Sequence, residues 1–131
     1  MDFYYNLYVP ILSSSKGYIS YPRTETTHYS ENFDFRPVVG LFKSSSSFGE
    51  AARQIISDGF HPRKGDDAGD HPPITPQRFA TESEVGGEAY RIYDYIVSHF
   101  LASLMKDYKY EQTEITVTCG TEIFSLVANR D

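Results

Sequence analysis

The strongest periodic signal lies in the second half of the chain. From Glu88 to about Lys106, the residues Ala89, Ile92, Tyr93, Ile96, Phe100 and Leu104 fall on one helical face, joined by Val97 and Leu101. At the usual rise per residue such a helix is roughly 30 Å long. Thr81 followed by Glu84 fits a capping box ahead of it. Gly86 and Gly87 lower helix propensity, so the main helix is expected to start after that pair. A shorter stripe, Ala51, Ala52, Ile55 and Ile56, predicts a helix from Phe48 to Asp58, with Gly59 placed to end it. After Tyr110 the period falls to two. Ile115, Val117 and Cys119 alternate with Thr116 and Thr118, Gly120 supplies a turn, and Ile123 to Val127 makes a second strand. A lone hairpin is marginal in water, so this one is expected to join a larger sheet.

Elsewhere the pattern is broken. Residues 1–17 are aromatic and poorly periodic, and Pro10 with Ser13-Ser14-Ser15 is expected to break any helix there. Residues 30–47, with Pro37, Gly40 and the run Ser44 to Ser47, read as loop. Residues 60–77 hold four prolines and two glycines, a density that excludes regular structure.

Composition narrows the class. A length of 131 residues suits one domain, or one plus part of another, and can bury a core without disulfides or metal. Aromatics make up 15%, as eleven Tyr and nine Phe without Trp, so many rings carry a hydroxyl that suits a wet interface. The net charge of −6 argues against a stand-alone nucleic-acid binder, because phosphate affinity comes mainly from Lys and Arg. That objection weakens if a basic half of the site lies on other polypeptide, and net charge does not describe local patches. The lone Cys119 offers neither a disulfide framework nor a zinc cluster, which points to a reducing, intracellular setting. Met1 to Ser15 lacks a basic n-region, and its apolar stretch is broken by Asn6 and Pro10. No signal peptide or membrane span is expected.

Two segments carry candidate chemistry. The first is Gly17 to Thr27, centred on Tyr21-Pro22-Arg23. Pro22 holds Tyr21 extended, since the residue before proline avoids the helical region. Residues i and i+2 of extended chain point the same way, which sets Arg23 beside Tyr21. A phenol loses its proton only near pH 10, so a nucleophilic tyrosine needs charge offset nearby, and a guanidinium provides it while gripping phosphate with its planar fork. Thr24, Thr26 and Thr27 add short hydroxyl donors for phosphate oxygens. On chemistry alone the same residues also make an ordinary turn. The second segment, Asp66-Asp67-Ala68-Gly69-Asp70-His71-Pro72-Pro73-Ile74-Thr75-Pro76, reads as a solvated acidic loop. Its Asp66, Asp67, Asp70 and His71 cluster lacks the alternation and distant Glu of a calcium loop, so no metal is assigned to it.

Gly17 to Tyr29 closely resembles the active-site signature of type IA DNA topoisomerases, and Arg63 to Pro76 is similar to the second active-site element in the topoisomerase III beta branch. Arg91 to Ser103 resembles the helix that follows, and Thr116 to Phe124 the return into that family's arch-shaped β domain. The likeness covers roughly residues 17–127, in the family's order. It implies Tyr21 as nucleophile, Arg23 as phosphate-binding arginine, Thr24 as the motif's hydroxyl and His71 as the histidine that contacts the cleaved strand. Arg63 and Lys64 join Thr24, Thr26 and Thr27 as candidate nucleic-acid contacts. His28, His61 and His99 have no such match. The first two are expected in surface loops, the third on a helix near the core.

The fold implied is mainly α with a C-terminal β-hairpin: residues 1–16 a divergent lead-in, 17–110 a helical, winged-helix-like active-site domain, and 111–131 part of the β-rich arch. Met1 to Lys16 does not match the amphipathic helix the family has there, and the segment between Asn32 and Gly59 is shorter and richer in serine than in the beta branch. The resemblance further implies transient single-strand cleavage and religation through a 5′-phosphotyrosyl intermediate. Partners are single-stranded DNA, with RNA as a second substrate class, and the remainder of such an enzyme, in the nucleus with the cytoplasm as a second site. Magnesium is expected on a separate Toprim domain, so none is assigned to these residues, and the chain alone is expected to be inactive. Two other readings stay open: a non-catalytic single-strand binding module in which Tyr and Arg stack and clamp, and a degenerate gene product.

Overall fold

A computed structural model describes residues 9, 10, 12, 13 and 17–130. Among these, four helices precede a C-terminal hairpin: α1 Phe35–Gly40, α2 Gly49–Asp58, α3 Glu82–Val85, α4 Gly87–Ser103, then β1 Glu111–Cys119 and β2 Glu122–Arg130. A mixed α/β architecture with a helical body follows, in line with the sequence pattern.

Helix α4 is the spine. Ala89, Tyr93, Ile96, Val97, Phe100 and Leu101 are buried along one face, as their spacing requires. The helix runs to Ser103 rather than Lys106 because its last turn is taken over by neighbouring chain. His61 N–H donates to the Leu104 carbonyl at 2.9 Å and Arg63 N–H to the Ser103 carbonyl at 3.0 Å, which satisfies C-terminal carbonyls that the helix itself leaves without partners. The expected capping box is present at α3, where Thr81 N–H and Oγ1 both reach Glu84 Oε2 at 2.8 Å.

Residues 30–47 are not all loop. Helix α1 lies within them, started by Asp34, whose side chain accepts from Arg36 N–H at 3.1 Å. Pro37 is the third helical residue, a position whose N–H has no intrahelical partner, so the ring costs no hydrogen bond. Phe42 and Val39 are fully buried, and Phe42 meets Phe48 edge-on at 5.7 Å. Helix α2 matches its expected span within one residue, burying Ala52 and Ile55.

The lead-in contributes more than expected. Val9 and Leu12 are core residues, and the Leu12 carbonyl accepts from Tyr18 N–H at 2.8 Å. The backbone is helical at Val9 and Pro10 and π-helical at Leu12 and Ser13, so Pro10 does not exclude helix at those positions. Packing of two apolar side chains three residues apart outweighs the local cost of the ring. The rest of residues 1–16 lies outside the described residues.

The hairpin is longer than its apolar run suggested, pairing Glu111 with Arg130 through to Cys119 with Glu122. Gly120, at φ 63°, takes the first central position of its two-residue turn, as a II′ turn demands. Ile115 faces Leu126 and Val117 faces Phe124, which puts one apolar row on one face. All of these side chains are exposed, and among the described residues the sheet has two strands.

Candidate active site

The two segments singled out by chemistry lie side by side, running antiparallel. At one end Thr27 N–H donates to the Asp66 carbonyl and Asp66 N–H to Thr27 Oγ1, both at 3.0 Å. At the other, Ser20 N–H donates to the Thr75 carbonyl at 2.9 Å, Thr75 N–H to Ser20 Oγ at 2.8 Å, and Gln77 N–H to the Tyr18 carbonyl at 2.8 Å. Ile19 and Pro76 form an antiparallel bridge. Gly65 permits the closest approach: a Cβ there would lie 2.4 Å from the Thr27 carbonyl oxygen.

Between these ends, Asp70 is the hub. Its Oδ1 accepts from Thr26 Oγ1 at 2.5 Å and Thr24 Oγ1 at 3.0 Å, and its Oδ2 from Glu25 N–H at 2.8 Å. The Thr24 hydroxyl also reaches the His71 carbonyl and accepts from Thr26 N–H at 3.0 Å. Thr26 Oγ1 accepts from Ala68 N–H at 3.1 Å. The hydroxyls of Thr24, Thr26 and Thr27, expected as phosphate donors, thus join one segment to the other within the chain.

The zipper brings Tyr21 and His71 together. Their ring centroids are 4.4 Å apart, with the planes tilted by 53°. Tyr21 is 51% exposed, so its phenol stays open to a ligand. Arg23 is also exposed. Lys64 is exposed, whereas Arg63 forms an ion pair with Asp107 just past α4. His28 and His61 lie at the surface as expected. His99 does not lie near the core: it is exposed and stacks on Tyr95, one turn earlier on α4, at 6.1 Å. Its place in the sequence neighbours Phe100, but the helix turns it about 100° away from the buried face.

Behind the site stands Tyr93. Its hydroxyl donates to the Arg78 carbonyl at 2.6 Å and accepts from Ala80 N–H at 3.1 Å, anchoring the chain just beyond Pro76 to α4. Burial pushes its phenol well above the ordinary range. Tyr18 packs edge-on against it at 6.2 Å, and the Arg78 guanidinium lies 5.2 Å from the Tyr18 ring centre. Sequence reasoning placed Tyr93 on the core stripe but missed its polar anchor, and it missed Asp70 as a hub. No local pattern marks Asp70 among the acidic residues of its loop, because its threonine partners lie more than forty residues away.

Asp70 has an electrostatic signature. The Thr26 hydroxyl, then the Glu25 and Thr24 donors, pull its carboxyl down to about 2 from its usual 3.8. Its folded value lies below its unfolded one, so the hub stabilises fully above the ordinary carboxylate range, and that contribution is lost as pH falls through about 2. The expected result is a wild-type minus Asp70→Asn difference in stability that is flat above about pH 5 and shrinks below it. Denaturant titration by circular dichroism at stepped pH measures it. A difference that instead grows with acid contradicts the hub.

Asp66, Asp67 and His71 do not join Asp70 around a cation. Among the described residues no three metal-ligating side chains gather, and the Asp67 carboxylate closes a turn on Gly69 N–H at 2.8 Å. These residues do not fit a magnesium site. No helix among the described residues is long and apolar enough to cross a membrane.

A family profile described as DNA topoisomerase matches residues 1–130, nearly the entire chain. The chain belongs to the type IA DNA topoisomerase family. DNA topoisomerase 3-beta-1 of Homo sapiens is 48% identical over 112 residues, covering 85% of this chain and 13% of that protein. DNA topoisomerase 3-beta of Drosophila melanogaster is 46% identical over 115 residues, covering 88% of this chain and 13% of that protein. DNA topoisomerase 3-alpha of the same fly is 38% identical over 112 residues, covering 85% of this chain and 9% of that protein. This topoisomerase chain is thus more similar to the 3-beta relatives than to that 3-alpha one. It spans about 13% of the length of the 3-beta relatives.

Proposed function

We propose that this chain carries the strand-cleaving tyrosine of a type IA topoisomerase of the III beta kind. The observation that supports this best is the exposed Tyr21 ring set 4.4 Å from the His71 imidazole by two segments far apart in sequence. In the proposed step the Tyr21 oxygen attacks a backbone phosphorus of a single strand. The Tyr21 O–P bond forms on the 5′ side, the P–O3′ bond breaks, the phenol proton is lost and the 3′ oxygen gains one. Reversal reseals the strand, and between the two events topology changes. Arg23 offsets charge on the phosphate, His71 donates to it, and Lys64 and Arg63 attract the backbone nearby.

Residues 17–110 are read as the active-site domain, winged-helix-like in kind, and 111–131 as the start of the arch. Single-stranded DNA is the proposed substrate, with RNA as a second class, in the nucleus or the cytoplasm. The acidic net charge fits a site whose basic half lies on other polypeptide. Magnesium belongs to that other part, on a Toprim domain, so the chain by itself cleaves nothing.

Reconstitution tests this. The chain is mixed with a Toprim-bearing fragment of a 3-beta relative, magnesium and a labelled single-stranded oligonucleotide, then run on a denaturing gel. A covalent adduct is expected only with all components present. An adduct formed without the fragment refutes the dependence, and none under any condition refutes the reading.

A further inference from the structure

We propose that Asp70 is the positioning residue of the Tyr21 site. It fixes the distance between nucleophile and histidine by clamping the segment after Arg23 onto the residue just before His71. This rests on the reading of Tyr21 as nucleophile and deepens it.

The geometry singles Asp70 out. Three donors converge on one carboxylate: the Thr24 and Thr26 hydroxyls and Glu25 N–H. All three lie on the segment that starts one residue past Arg23, and His71 follows Asp70 directly. Among the described residues Asp70 is the carboxylate of this loop that bonds across to that segment, since Asp67 closes its own turn and Asp66 meets Thr27 through backbone groups. The apolar contacts of the site sit at its far end, around Ile19 and Pro76. Near the reacting groups, polar bonds do the holding. A carboxylate suits this place because every partner is a donor. An amide keeps one acceptor oxygen: with it toward Glu25 N–H, its NH2 meets the Thr24 and Thr26 hydroxyls, which must then accept instead of donate, and the bonds lose the added strength of an ionised acceptor. A placement error of about 1 Å in a reacting group can cost about a hundredfold in rate.

Asp70→Asn is compared with wild type, and Thr26→Val with Thr26→Ser. Two measurements are made. In the chain alone, nuclear Overhauser contacts between the Tyr21 and His71 ring protons report the clamp directly. In the reconstituted assay, adduct rate at saturating oligonucleotide is read beside oligonucleotide affinity by anisotropy and the melting temperature. Asp70→Asn and Thr26→Val are expected to lose the ring contacts and slow the adduct by about 10- to 100-fold, with affinity within twofold. Thr26→Ser keeps its hydroxyl and is expected to retain both.

Ring contacts and rate that survive Asp70→Asn overturn the proposal. So does a fall in affinity matching the fall in rate, which makes Asp70 a binding group. If Asp70→Asn lowers cooperative melting, Thr26→Val decides, and a normal rate in it overturns the clamp. If wild type forms no adduct, the nucleophile reading fails while the ring contacts still decide whether Asp70 holds the two groups together.

Discussion

Tyr21→Phe is expected to abolish the covalent adduct entirely while leaving the fold intact. Phenylalanine keeps the ring that packs against His71, and Tyr21 is half exposed, so little apolar burial is at risk. Among the described residues no hydrogen bond holds its hydroxyl, so the substitution leaves no buried group unpaired. What disappears is the oxygen proposed to take over the phosphorus. Neighbouring tyrosines are poor substitutes: Tyr18 is buried, and the Tyr93 hydroxyl is enclosed between Arg78 and Ala80. Oligonucleotide affinity is expected within twofold of wild type and the melting temperature unchanged. A labelled adduct on a denaturing gel is the readout. An adduct of ordinary yield in Tyr21→Phe removes Tyr21 from the chemistry and leaves it a stacking residue.

The contrast between Tyr21 and the threonines around it shows what local sequence carries. Tyr21, Pro22 and Arg23 are adjacent, so their chemistry can be read from the chain alone. Asp70 lies more than forty residues from Thr24 and Thr26, and its bonds to them follow no repeat, so nothing in the pattern announced the hub. The hydroxyls of Thr24 and Thr26 read as ligand donors in the sequence, and in the fold they bond Asp70. The helices divide on similar grounds. Helices α2 and α4 were legible because their apolar stripes are unbroken over several turns. Helix α1 carries Phe35, Val38 and Val39 at helical spacing behind an Asp34 cap, yet Pro37 and the serine run hid it. The proline mattered less than it looked, because its position in the first turn needs no N–H. At Val9 and Pro10 helix was missed for the opposite reason: local signals are poor there, and packing of Val9 and Leu12 into the core decides their place.

Tyr93 joins the legible part of the fold to the illegible part, and its substitutions are expected to give the largest loss of stability. The ring is fully buried on α4, while its hydroxyl bonds the Arg78 carbonyl and Ala80 N–H. Tyr93→Phe keeps the volume and leaves that N–H and carbonyl without their partner, next to a fully buried Ala80, at a cost of about 1–3 kcal/mol. Tyr93→Ala adds a large cavity at the heart of the helical body, for a loss of about 3–5 kcal/mol. Net stabilities of small domains are about 5–15 kcal/mol, so the alanine variant is expected to be partly unfolded at 37 °C and the phenylalanine variant folded with a lower melting temperature. Urea titration followed at the helical circular-dichroism band separates them. The site feels the change too, because the segment that Tyr93 anchors continues directly from His71 through Gln77, and Tyr18, at the start of the nucleophile segment, packs against the same ring. Tyr93→Phe is therefore expected to lose stability before it loses adduct formation per folded molecule. Should Tyr93→Phe melt like wild type, the hydroxyl anchor is not what ties the two segments to the helical body, and the contact of Tyr18 with the ring must carry that role.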